Sequence, residues 1–179
     1  MSRPDTGTNG AGAPVVSVEI AVDCAGWRQA CPRAATLAKT AAAAAFRDAA
    51  GAADLPPGHR VVIGVTLADD AEQRRLNKTW RGKDASTNVL AFPVAGAEAL
   101  PADAPLLLGD VVLALETVAA EAAAQQKPLA DHLRHLVVHG VLHLLGQDHE
   151  DPAEAEAMEE RETAILAELG VPDPYRELI

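Results

Sequence analysis

His139, His143 and His149 stand in the order His-x3-His-x5-His, and this stretch holds half of the six histidines in the 179-residue chain. Imidazole nitrogen ligates divalent transition metals, and two histidines four residues apart on a helix share one face. Gly146 follows three residues after His143, where a helix can close in a left-handed cap and turn the chain back. His149 then meets the same ion from the returning segment. Three neutral imidazoles leave the fourth tetrahedral position open, as in catalytic rather than structural zinc. Spacing alone does not choose zinc over nickel, cobalt or iron, since imidazole suits them all.

The spacing equals that of the metzincin protease signature, H-E-x-x-H-x-x-G-x-x-H. The position of the protease glutamate, the general base of peptide cleavage, is Gly140 here. The cage is that of a zincin without its base, which favours metal binding and disfavours protease chemistry. His132 and His135 lie upstream, and His135, His139 and His143 form a stripe at intervals of four. The outer pair of that stripe is separated by about 12 Å of helical rise, too far for one ion. His132 and His135 are therefore read as partly exposed helix histidines or as partners of a ligand rather than as ligands. Set against the metal reading, three unrelated polar side chains on an apolar helix form the minor alternative.

The elements that must carry these residues follow from periodicity and punctuation. Residues 15–22 alternate through Val16, Val18, Ile20 and Val22 as a strand, and 60–67 is a second strand rich in valine and isoleucine. Between them, 32–50 is an alanine-rich helix carrying Leu37 and Phe46 and ended by Gly51. Asp69 or Asp70 caps a helix that carries Leu76 and ends near Gly82. Residues 87–94 and 106–115 are two further strands separated by an Ala/Gly/Pro loop. A helix over 116–126 precedes one that starts at Pro128 and runs to Leu145 with the histidine pair. A last amphipathic helix over 152–169 is closed by Gly170 and Pro172. This is an α+β layout.

At 179 residues the chain suits one domain, expected over 14–179, behind a Gly/Thr/Pro-rich tail at 1–13 expected to be disordered. No apolar run approaches a membrane span, and the first residues lack a signal-peptide core. Cys24 and Cys31 form neither a disulfide framework nor a zinc ribbon, so reduced thiols in a cytoplasmic protein are expected. The net charge of −11 at first argues against nucleic acid. It is unevenly spread, however. Five cations and no acid occupy 74–83, whereas eight acids and one arginine occupy 150–168, so a local basic strip remains available. For Arg74 and Arg75 an ordinary solvated helix face is at least as good a reading. Arg81 differs, lying between Trp80 and Gly82 at a helix exit.

The run His-Gly-Val-Leu-His-Leu-Leu-Gly-Gln-Asp-His at 139–149 resembles the signature of the bacterial YbeY family, endoribonucleases of ribosomal RNA maturation. The block at 76–93, the run Leu-Gly-Asp-Val-Val-Leu at 108–113 and Asp-Pro-Tyr at 173–175 are similar to that family too, so the match spans 15–175. The resemblance implies a single domain with a small mixed sheet of about four strands packed with helices, its metal site on a helix and the turn after it. It further implies a single-strand-specific, zinc-dependent endoribonuclease with one Zn2+ per chain. Its expected role is in 16S rRNA 3′-end maturation, ribosome biogenesis and rRNA quality control. The expected partners are ribosomal RNA, single-stranded RNA, the small ribosomal subunit and its assembly factors, in the cytoplasm and without a membrane.

On that reading His139, His143 and His149 are metal ligands and catalytic residues. Arg81 is the catalytic phosphate clamp, at the position where the family's arginine is treated as essential. Asp148 is the nearest carboxylate for a general base, though orienting an imidazole or capping a turn suits it better. Trp80 is a stacking platform or, preferably, a core tryptophan, and Met158 is core packing. Ser86 and Ala91 depart from the family block, where proline and serine are common; no catalytic role falls to position 91. Two other classes remain: a ribosome-assembly factor with a structural metal, and a metalloprotease, disfavoured by Gly140.

Overall fold

The computed structural model describes residues 14–94, 100–101 and 103–176. The expected tail at 1–13, the end of the expected domain at 177–179 and most of the loop before residue 103 lie outside the described residues. Four strands form one mixed sheet: β1 (Val16–Val22), β2 (Val61–Ala68), β3 (Val89–Pro93) and β4 (Leu106–Ala114), in the order β1-β2-β4-β3. β1 and β4 flank β2 in parallel, and β3 lies antiparallel to β4 on the far edge.

Burial follows strand position. Central β2 buries Val61, Val62, Ile63, Val65, Leu67 and Ala68, the near-continuous apolar run of a strand covered on both faces. Edge strand β1 alternates, with Val18 buried and Glu19 and Ala21 exposed. Pro93, which cannot donate to a ladder, ends edge strand β3.

The α+β expectation holds. The helices are α1 (Gly26–Ala30), α2 (Ala34–Ala49), α3 (Asp70–Arg81), α4 (Leu115–Ala124), α5 (Leu129–Leu144) and α6 (Pro152–Glu168). α2 packs on β1 and α5 on β3 and β4, and the two helices pack against each other. The alanines of α2 make this contact close: Ala38, Ala41, Ala42 and Ala45 are fully buried. Much of the chain's apolar content is thus spent on close helix approach rather than on bulk. Asp69, not Asp70, caps α3, its Oδ1 accepting from the Glu72 amide at 2.8 Å. Asp70 instead accepts from the backbone and hydroxyl of Thr117, tying α3 to α4.

Sequence periodicity missed α1, which is only five residues long. It places Trp27 wholly inside the core, where the indole Nε1 donates to the Ala68 carbonyl at 2.8 Å. Cys24 and Cys31 are free thiols. Among the described residues no helix is long and apolar enough to cross a membrane.

α5 sits close on β4 because residue 140 has no side chain. A Cβ built on Gly140 falls 2.6 Å from Val111 Cγ1, and Val111 is fully buried in β4. Replacing a helical glycine by alanine normally gains about 1 kcal/mol. Here the overpacking cost of about 1–3 kcal/mol opposes that gain. Gly140→Ala is therefore expected to be net destabilising by about 1 kcal/mol, read from urea midpoints at constant m-value. A stabilised variant would show that α5 does not depend on this approach.

Candidate metal centre

α5 delivers two histidines and its end delivers the third. The buried side of the helix carries Leu133, Val137, Val141 and Leu144, and the flank beside it carries His132, His135, His139 and His143. The helix closes in a Schellman arrangement: Gly146 N–H donates to His143 O at 3.0 Å and Gln147 N–H to Leu142 O at 3.1 Å. Gly146 takes φ of 86°, a left-handed conformation that glycine enters without strain. The chain reverses there and brings His149 back to the helix end. Asp148 Oδ1 accepts from the His149 amide at 2.7 Å, a turn-capping role, and lies 3.7 Å from His149 Nδ1.

One nitrogen of each of His139, His143 and His149 lies within 4.8 Å of the others. The Nε2 atoms of His139 and His143 face each other at 3.0 Å. A tetrahedral ion with bonds of about 2.1 Å sets its ligand nitrogens about 3.4 Å apart, so small side-chain adjustments close the cage. His143 supports this chemistry by its protonation. Burial, with help from His139 and His149, pushes its pKa below the usual imidazole value and favours the neutral ligand form.

Sequence reasoning missed the residue behind the cage. Glu162 on α6 is wholly buried, and its Oε1 accepts from His139 Nδ1 at 2.5 Å. His135 Nε2 donates to Oε2 at 2.9 Å, and the Tyr175 hydroxyl donates to the same oxygen. With Nδ1 of His139 holding the proton, its Nε2 lone pair faces the centre, the tautomer a metal requires. The donor set therefore fits a divalent metal. Burial alone would raise the Glu162 carboxyl. The hydrogen bonds from His135, His139 and Tyr175 outweigh it and hold the pKa down at about 2. The signal in the sequence was a glutamate at a core position of an amphipathic helix, between buried Met158 and buried Ile165 and Leu166.

Arg81 reaches the same place from the other side. α3 ends at Arg81, and Gly82 caps the helix in a left-handed conformation. The guanidinium donates from Nη2 to the Ala91 carbonyl at 3.0 Å and lies 5.8 Å from the Phe92 ring centroid. Because Ala91 uses its backbone oxygen, the missing hydroxyl there does not disturb this anchor. A cavity of about 410 Å³ is lined by Arg81, His139, His143, His149, Asp148 and Asn88, among others.

Other expected features fall elsewhere. Trp80 is 70% exposed, not a core residue, because among the described residues no element covers the last turn of α3; there the helix buries only Gln73 and Asn77. His132 is not partly exposed: it is buried at 4%, with Nε2 donating to Glu121 Oε2 at 2.8 Å. His135 is a partner of a ligand, acting through Glu162. Met158 is buried packing. Three cations of the basic strip are paired: Arg74 and Lys78 with Asp84, and Arg75 with Glu72.

Glu162→Gln keeps the shape and removes the charge. Loss of such a partner is expected to weaken binding of a divalent ion, probed with added Zn2+, about 10–100-fold in competition titrations with a chelating dye. A folded pKa held below the ordinary 4.5 means that stability is present above pH 4.5 and is lost as pH falls towards about 2. The metal-free native chain is thus expected to lose on the order of 3 kcal/mol over that window relative to the variant. Parallel acid limbs in urea melts would show that the carboxylate carries no such linkage.

The model of the family described as "Endoribonuclease YbeY" matches residues 32–170. A protein named "Endoribonuclease YbeY" from Paramagnetospirillum magneticum is 55% identical over 166 residues, covering 90% of this chain and 98% of its own length. One of the same name from Halorhodospira halophila is 58% identical over 115 residues, covering 64% of this chain and 75% of that protein. A third, from Rhodopseudomonas palustris, is 47% identical across 90% of this chain and 81% of its own. The fold is also similar to the solution structure of a Thermotoga maritima protein, with a TM-score of 0.52 and 20% identity over 89% of this chain and 99% of that one. With its glycine-closed histidine helix and these matches over most of its length, the chain belongs to the endoribonuclease YbeY family.

Proposed function

We propose that this chain is a zinc-dependent endoribonuclease that cuts single-stranded RNA. The observation that carries the reading is the convergence of three imidazole nitrogens within 4.8 Å of one another, in one cavity with the Arg81 guanidinium. The relatives' printed name supplies RNA as the substrate. Extending the family role, the substrate is ribosomal RNA, with 16S rRNA 3′-end maturation, ribosome biogenesis and rRNA quality control as the setting. The small ribosomal subunit and its assembly factors are the partners, and the cytoplasm is the compartment.

His139, His143 and His149 hold the ion, and Glu162 keeps His139 in the ligating tautomer. When bound, a divalent ion there supplies Lewis acidity toward a phosphoryl oxygen and acidifies water at the site. Arg81 clamps the phosphate: its planar fork matches phosphate oxygens and stays charged, and the Ala91 carbonyl engages only one of its N–H groups. Hydrolysis adds water across the phosphodiester, breaking the bond from phosphorus to the leaving ribose oxygen, which takes up a proton. With no side chain at residue 140, no base comes from that position. Asp148, occupied with the His149 amide, serves the turn rather than the proton transfer.

Three variants test this on a single-stranded fragment from the 3′ end of small-subunit rRNA. His143→Ala is expected to lose both bound zinc and cleavage. Arg81→Ala is expected to keep zinc and lose about 10²–10³-fold in turnover, as for a transition-state charge stabiliser. Cleavage that survives in His143→Ala would overturn the metal role, and no cleavage by the native zinc-loaded chain would point to an assembly factor with a structural metal. Asp148→Asn is expected to retain zinc and most of its turnover; abolished turnover with zinc retained would make Asp148 the base.

A further inference from the structure

The metal cavity does not stand alone. A second cavity, of about 360 Å³, shares Asn88, Val89 and His139 with it and continues along α5 past Glu121 to His132 and His135. A third, of about 460 Å³, shares Lys127, His132, His135 and Pro174 with the second. The three lie in series along α5, each sharing lining residues with the next, from Arg81 to the turn after α6. His132, which lines both the second and the third, stands about 10 Å of helical rise from His139.

The far cavity has a chemistry of its own. Val171, Pro172, Pro174 and Pro128 supply flat, apolar walls. Its charges balance, Lys127 and Arg176 against Asp131 and Asp173, so it does not present the excess of cations that a phosphate selects. Lys127 is spent on the Pro174 carbonyl and Asp131 on Arg134. Two imidazoles, His132 and His135, also line it. Their rings meet edge-on, with centroids 6.2 Å apart. Apolar walls with a neutral polar rim suit a flat heterocycle that stacks and offers hydrogen-bonding edges, and the volume is within the range of small-molecule sites.

We propose that this cavity is a nucleobase pocket: it takes one base of the single-stranded RNA beside the cleaved linkage, while Arg81 and the histidine centre hold the phosphate. The inference rests on the endoribonuclease reading and adds to it a place where the strand is gripped through a base rather than through its backbone. Adjacency to the metal cavity through shared lining residues selects the occupant. A strand whose phosphate is held by Arg81 and the histidines has its neighbouring nucleotides within reach of the cavities that adjoin the site along α5.

Pro172 is exposed on the loop after α6 and lines only the far cavity of the three. Pro172→Trp fills the cavity, and Pro172→Ala leaves it open at the same backbone position. The probes are a short oligoribonucleotide and the same strand with abasic sites, each titrated by fluorescence anisotropy into the full chain at fixed salt. The native chain is expected to bind the complete strand about tenfold more tightly than the abasic one, the scale of one stacked base. Pro172→Trp is expected to lose that tenfold and leave the abasic affinity unchanged, while Pro172→Ala keeps it. Thermal melts of both variants separate a filled cavity from a misfolded loop. Equal discrimination in the native chain and Pro172→Trp, with RNA cleavage retained, overturns the pocket alone. Failure of the native zinc-loaded chain to bind or cleave RNA overturns the endoribonuclease reading and the pocket with it.

Discussion

A carboxylate removed entirely from water constrains the rest of this site. Glu162 is tolerable inside the protein only because three donors meet it: His135 and His139 from α5 and Tyr175 from the turn after α6. The same bonds make Glu162 a rivet through the molecule. They fix how α6 lies on α5, close the C-terminal turn over His135 and set which nitrogen of His139 is free. A structural requirement, the satisfaction of a buried charge, and a chemical one, the ligating tautomer, are met by one set of hydrogen bonds. This is why a residue with no direct place in the cage governs it.

A second constraint acts from below. Gly140 lets α5 approach β4 until a Cβ would overlap Val111. The position that bears the general base in proteases with this histidine spacing is here the contact between helix and sheet, with no room for a carboxylate. The absence of a protease-type base at residue 140 and the depth at which α5 sits therefore go together. Arg81 shows a comparable economy, for its anchor is the backbone oxygen of Ala91 on edge strand β3. An edge strand has carbonyls to spare, and an anchor on the main chain tolerates a change of side chain at position 91.

Electrostatics places the proposed RNA contact at the cavity rather than on the surface at large. The chain carries a net charge of −11, and the basic run along α3 is largely spent on Asp84 and Glu72. Such exposed pairs contribute little to stability, but they lower the charge that α3 offers to a phosphate backbone. Arg81 is directed away from that run, towards β3 and the histidines. The proposed recognition, through one arginine clamp, a metal and adjoining cavities along α5, depends less on bulk charge than a basic groove would.

The chain by itself determined what depends on local geometry. A four-residue interval puts His139 and His143 on one helix face, a glycine closes that helix and returns His149, and alternation or apolar runs mark the strands. Each of these is set by hydrogen-bond periodicity or backbone freedom within a few neighbouring residues, so it can be read along the sequence. Only the tertiary structure decided the order β1-β2-β4-β3, the burial of His132 against Glu121, the exposure of Trp80 and the place of Glu162. These depend on which surfaces meet across tens of residues. Trp80 has the composition of a core residue but no element among the described residues arrives to cover it, and Glu162 has that of a surface residue but three donors arrive to meet it. Burial is a property of neighbours, and the neighbours are chosen by packing rather than by the residue itself.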